Sequence, residues 1–150
     1  MTLYEQITND MKEAMKSKDK ELLSTIRMLK SAIDLYKINN KMDRNTVEDE
    51  VVIEIAAKQV KTHKESIIEF KNANRDDLVT QLEKEISIIK KYLPEELSEE
   101  EVEKIITLIF EEVKPSGKSD LGKVMREANA KLKGRADMKL VNQIVLSKLN

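Results

Sequence analysis

A chain of 150 residues with 27 basic and 28 acidic side chains carries a net charge of −1, which excludes a global field for a polyanion and leaves room only for a local patch. With no cysteine there are no disulfides, thiolate nucleophiles or cysteine-based metal sites, and three scattered glycines cannot build a phosphate-binding loop. Two prolines, few aromatics and 37% charged residues are the composition of a nearly all-helical protein.

The first helix is expected from about Thr2 to Ser17, with Leu3, Ile7, Met11, Ala14 and Met15 along one face. Ser17-Lys18-Asp19-Lys20 reads as a turn, with Asp19 as the N-cap of a second helix that runs to about Asn39. Its inward stripe is Leu22, Leu23, Ile26, Leu29, Ile33 and Tyr36, and the polar stretch Lys37 to Arg44 reads as a loop. Asn45-Thr46 opens a third helix, where Thr46 and Asp49 approximate a capping box. That helix turns Ile53, Ala56, Val60, His63, Ile67 and Phe70 inward, and the fourth does so with Leu78, Leu82, Ile86, Ile89 and Leu93. Four amphipathic helices on short connections are expected to pack as a bundle over residues 1–94.

Tyr92-Leu93-Pro94 ends that domain, because proline lacks a donor and drives the preceding residue out of the helical region. Past the linker Glu95-Glu96-Leu97, Ser98 and Glu101 form a capping box whose two side chains can satisfy reciprocal backbone donors. The fifth helix uses Val102, Ile105, Ile106, Ile109 and Val113, and Pro115-Ser116-Gly117 breaks it. Ser119 is expected to cap the sixth, whose stripe is Leu121, Val124, Met125, Ala128 and Leu132. Gly134 falls where a left-handed residue ends a helix, and Asp137 stands at the N-cap of a seventh, built on Leu140, Val141, Ile144, Val145 and Leu149. Residues 95–150 thus read as a small three-helix tail domain.

The joint around Gly134 is the specific part of the chain. Between Lys118 and Lys139, seven cations (Lys118, Lys123, Arg126, Lys131, Lys133, Arg135, Lys139) face three acids (Asp120, Glu127, Asp137), a local balance of +4. Such a cluster can hold phosphates by charge-assisted bonds, although cations at a helix C-terminus also answer its dipole. No catalytic constellation is visible: the serines are explained by caps, and the chain has one histidine. His63 lies between Val60 and Ile67 with no strong ligand partner on its own face, so it reads as a core residue. No catalytic residue, metal or cofactor is expected. The opening residues lack a secretory apolar core and no run is long enough to span a membrane, so a cytoplasmic protein without membrane contact is expected.

Three stretches resemble the YqeY family, small proteins related to the C-terminal tail of the B subunit of glutamine-dependent aminoacyl-tRNA amidotransferase. They are Phe70 with Arg75-Asp76-Asp77-Leu78, then Tyr92-Leu93-Pro94 with Leu97-Ser98-Glu99-Glu100, and third Gly122-Lys123-Val124-Met125 through Lys133-Gly134-Arg135-Ala136-Asp137 to Lys139-Leu140-Val141-Asn142. Met138 stands where the family commonly has glycine, so a ligand that needs a close backbone approach there would meet a side chain. The resemblance implies a non-catalytic, tRNA-associated helical protein that contacts RNA through Lys123, Lys131, Lys133, Arg135 and Lys139. It assigns structural roles to Tyr92, Pro94, Ser98, Glu101, Gly122, Gly134 and Asp137. Family wording of a carbon–nitrogen ligase with glutamine as amido-N-donor comes from the shared domain, and amidotransferase subunits are implied as partners. The alternatives are an accessory component of such a complex, or a protein-interaction adaptor with no RNA role. Nothing in the sequence sets the oligomeric state.

Overall fold

The computed structural model describes residues 1–42 and 47–149. Among these the all-α reading holds: helices α1 (Leu3–Ser17), α2 (Lys20–Asn39), α3 (Asp49–Asn72), α4 (Asp76–Lys90), α5 (Glu99–Val113), α6 (Leu121–Leu132) and α7 (Met138–Lys148), with one 3-10 turn at Lys118–Asp120 and no strand. The chain divides into two compact units, Met1–Pro94 and Glu95–Asn150, each with its own hydrophobic cluster.

In the first unit α3 packs along α4, α1 along α2, and α2 touches both α3 and α4. Ile7, Ile26, Leu29, Ile33, Val52, Ala56 and Ile89 are fully enclosed between them. The expected stripes are right in phase but wrong at their edges. Met15 is 49% exposed, because the adjacent Ala14 already faces the core and the next residue turns away by about 100°. Tyr4, Val52 and Val79 are buried although the stripes passed them by. Asn45 and Thr46, expected to open the third helix, lie outside the described residues; α3 begins at Asp49. The Asp49 carboxylate accepts from the Leu3 N–H at 2.9 Å, capping α1 from another helix. Thr2 and Glu5 form the complete capping box of α1, with both reciprocal bonds at 3.1 Å.

Three helices of this unit, α1, α2 and α3, end by one device. Asp19 N–H reaches back to Ala14, Met42 N–H to Lys37 and Arg75 N–H to Phe70, closing the last turns of α1, α2 and α3. Each closure needs a left-handed residue just past the helix. Lys18 (φ 59°), Lys41 (φ 52°) and Asn74 (φ 57°) take that place, and Lys114 (φ 50°) does so after α5. Left-handed backbone costs a lysine about 1–2 kcal/mol that glycine escapes.

Two tyrosines tie helices across this core. The Tyr4 hydroxyl donates to Asp34 Oδ1 at 2.7 Å, Lys30 Nζ donates to Asp34 Oδ2 at 2.9 Å, and Lys37 Nζ lies 4.9 Å from the Tyr4 ring centroid. Burial alone would raise the Asp34 carboxyl, but the Tyr4 and Lys30 hydrogen bonds and the neighbouring ammonium charges outweigh it and hold it below its ordinary value. Tyr92 donates to Asp10 Oδ2 at 2.5 Å, fixing the end of α4 to α1, and burial followed by that bond pushes its phenol well above the usual value. This is the structural work of the Tyr92-Leu93-Pro94 stretch.

The second unit is a triangle in which α5, α6 and α7 all touch one another. Val102, Ile106 and Ile109 of α5 meet Val124, Ala128 and Leu132 of α6 and Val141 and Val145 of α7, all fully buried. Ser98 caps α5 by accepting from the Glu101 N–H at 3.2 Å, but the return bond runs from the Ser98 hydroxyl to Glu101 Oε1 rather than from a backbone donor, so the expected box is half formed. The expected cap at Ser119 is not made. Asp120 precedes α6 and spends its Oδ2 on the Ser116 N–H (2.8 Å) and hydroxyl (3.0 Å), bracing the break after Pro115.

Replacing Lys18 or Lys114 with glycine should stabilise the fold by roughly 0.5–1 kcal/mol each, the left-handed strain relieved less glycine's greater freedom when unfolded; urea denaturation measures it. Asp34, depressed in the folded state, contributes stability above the ordinary carboxylate range that disappears as the pH falls through its lower folded value. Asp34→Asn should therefore be less stable than the parent at neutral pH and should show a shallower loss below about pH 4 in denaturation curves.

Candidate functional site

The corner between α6 and α7 is a type II turn. Lys133 (φ −60°, ψ 128°) takes its second position and Gly134 (φ 80°) its third, where positive φ is obligatory. Arg135 N–H (2.9 Å) and Ala136 N–H (3.1 Å) both donate to the Leu132 carbonyl. Gly134 is thus the left-handed residue past α6, as its position in the sequence indicated. The Arg135 carbonyl in turn accepts from the Leu97 N–H at 2.8 Å, bonding the start of the unit to its corner. Asp137 caps α7, its Oδ1 accepting from the Lys139 N–H at 3.0 Å, so the positive end of α7 already holds a carboxylate. Met138 packs against the hydrophobic cluster instead of covering the outer surface.

The cations do not form one knob. Lys131 points along α5, where its Nζ lies 3.2 Å from Glu112 Oε2 with the lysine side chain 40% exposed. An acid remote in sequence, outside the three counted between Lys118 and Lys139, thereby interrupts the cluster. Lys123 lies 3.9 Å from Asp120 yet remains 73% exposed. Arg135 is half-buried in the turn, and Lys133 and Lys139 are exposed. Arg126 is also exposed, one turn beyond Lys123 on the outer side of α6, and makes no ion pair among the described residues. The 122/126/129/130/133 spacing on a helix was the signal that groups it with Lys133.

Charge is sorted by helix. Glu99, Glu100, Glu101, Glu103, Glu111 and Glu112 lie on α5 against Lys104 alone, whereas α7 has Lys139 and Lys148 and no acid. In the first unit, His63 is partly buried as expected, but with an acid from α4 beside it: Nε2 is 3.5 Å from Glu85 Oε2 and lacks a hydrogen-bond partner. No group of three or more metal-ligating side chains occurs among the described residues, and none of the described helices is long and apolar enough to cross a membrane.

The family model described as Yqey-like protein matches residues 4–149, nearly the whole chain. The chain belongs to the YqeY family. Over 130 residues it is 33% identical to altered inheritance of mitochondria protein 41 of Pyrenophora tritici-repentis, covering 85% of this chain and 69% of that one. The protein of the same name from Clavispora lusitaniae is 31% identical over 131 residues, covering 85% and 74%. A shorter match, to the E subunit of glutamyl-tRNA(Gln) amidotransferase from Thermococcus sibiricus, reaches 53% identity over 57 residues, 35% of this chain and 9% of that one. The relatives from Pyrenophora tritici-repentis and Clavispora lusitaniae are named mitochondrial, and this overturns the cytoplasmic expectation. The absence of cysteines and of an apolar opening stretch does not by itself select a compartment.

Gly134→Ala should destabilise the protein by about 1–2 kcal/mol, the cost of a Cβ at left-handed φ, and a lower urea midpoint at unchanged slope would show it.

Proposed function

We propose that this YqeY protein is a non-catalytic RNA-associated protein, with tRNA as the RNA and the second unit as the part that meets it. On this reading the two units are a four-helix bundle domain and a three-helix tail domain. The observation that carries it is the segregation of charge within the second unit: glutamates on α5, cations on α6, the corner and α7, in a chain near neutrality overall. The 57-residue match to a protein named as part of a glutamyl-tRNA(Gln) amidotransferase supports the choice of tRNA, and its length is close to that of the second unit. With no aromatic side chain at the corner, contact would be to backbone and shape.

Filter binding of bulk tRNA to the whole chain at two salt concentrations tests this. Binding should weaken as salt rises, and changing Arg135 and Lys139 together to Glu should lower affinity about tenfold and flatten the salt dependence by roughly one to two contacts. Absent or salt-insensitive binding overturns the reading. A second reading, docking of another protein such as an amidotransferase component on α5, is favoured by Leu108, 56% exposed with Lys104 one turn before it and Glu111 and Glu112 one turn after. In that case a partner stays bound after RNase digestion.

A further inference from the structure

Opposite the buried stripe Val124, Ala128 and Leu132, the outer side of α6 carries Gly122, Lys123, Arg126, Asn129, Ala130 and Lys133, all exposed. From Lys123 to Lys133 this face runs about 15 Å along the axis. It presents three cations, one amide and two residues with little or no side chain, while Glu127, the acid of the helix, is half-buried at its edge. Asp120 Oδ1 lies 3.9 Å from the Lys123 Nζ, a loose contact that leaves the lysine side chain 73% exposed and screened by solvent.

Gly122 is the glycine on this face, and like Gly117 in the break before α6 it has open space where a Cβ would stand. It lies in the first turn of α6, where alanine at an ordinary helical φ would stabilise the chain by about 0.4–1 kcal/mol through the unfolded state. A Cβ built on it meets nothing within 4 Å, so neither packing nor backbone geometry asks for glycine there. Something outside the chain that comes close to the helix backbone would supply the missing reason.

We infer that the outer face of α6 docks the sugar–phosphate backbone of folded RNA, with Gly122 at the point of closest approach and Arg126 as the principal phosphate contact. The inference rests on the RNA-associated reading above and adds a helix face to the corner. Arg126 offers a forked guanidinium to phosphate oxygens. The Asn129 amide has both donors and an acceptor for a 2′-hydroxyl. A face without aromatics gives bases nothing to stack on, which favours structured RNA over a single strand.

The test is bulk tRNA binding to the full chain, read beside thermal melting, for the parent, for Lys123→Glu with Arg126→Glu, and for Gly122→Ala and Gly122→Leu. Expected results are at least a tenfold loss of affinity for the double charge reversal and a higher melting temperature for Gly122→Ala. The two Gly122 variants should also bind progressively more weakly, more so for Leu than for Ala. Parent binding that survives both the charge reversal and Gly122→Leu overturns the α6 face while leaving the RNA reading intact. No salt-sensitive binding by the parent overturns both.

Discussion

Leu132 is committed twice: its side chain is fully buried between the three helices of the second unit, and its carbonyl accepts from both Arg135 and Ala136. Those two bonds fold the backbone through Gly134 at positive φ and release it at Asp137 in position to start α7. Because the Arg135 carbonyl then receives the Leu97 N–H, the turn also holds the stretch of chain that leads into α5. Without this constraint α7 could not lay Val141 and Val145 against Val124 and Ala128, and a unit of this size has little other core to fall back on.

The same turn decides what the cations can do. By ending α6 at Leu132 it leaves Lys131 beside α5, paired with Glu112, and Lys133 on the outer side. By placing the Asp137 carboxylate at the N-terminus of α7 it takes up the Lys139 N–H and sets a negative charge where an anion would otherwise bind. The positive character that remains available is carried by side chains on α6 and by Arg135 and Lys139, not by a helix end.

Helices and their inward stripes were legible in the residues because apolar spacing near 3.6 is strong here and few glycines or prolines interrupt it. Asp19, Gly134 and Asp137 were legible too, since turn chemistry is local. What stayed hidden depends on partners far along the chain. The Glu112 that takes up Lys131, the Glu85 that approaches His63 and the Asp10 that anchors Tyr92 all come from other helices. Left-handed lysines at 18, 41 and 114 were hidden for a different reason: lysine carries no turn signature, and the helix ends close over it by local backbone bonds all the same. Met138 looked like an obstruction in the sequence and proves to be part of the core margin.

The sorting of charge between α5 and the helices beside it gives the second unit an acidic side and a basic side on a nearly neutral chain. Neighbouring helix axes lie about 8–10 Å apart, comparable to the Debye length in physiological salt. A polyanion at a distance would therefore sense almost no attraction, yet within one screening length it would feel a torque. Encounter would be slow to begin and strongly oriented once begun, with approaches from the glutamate side turned back before contact.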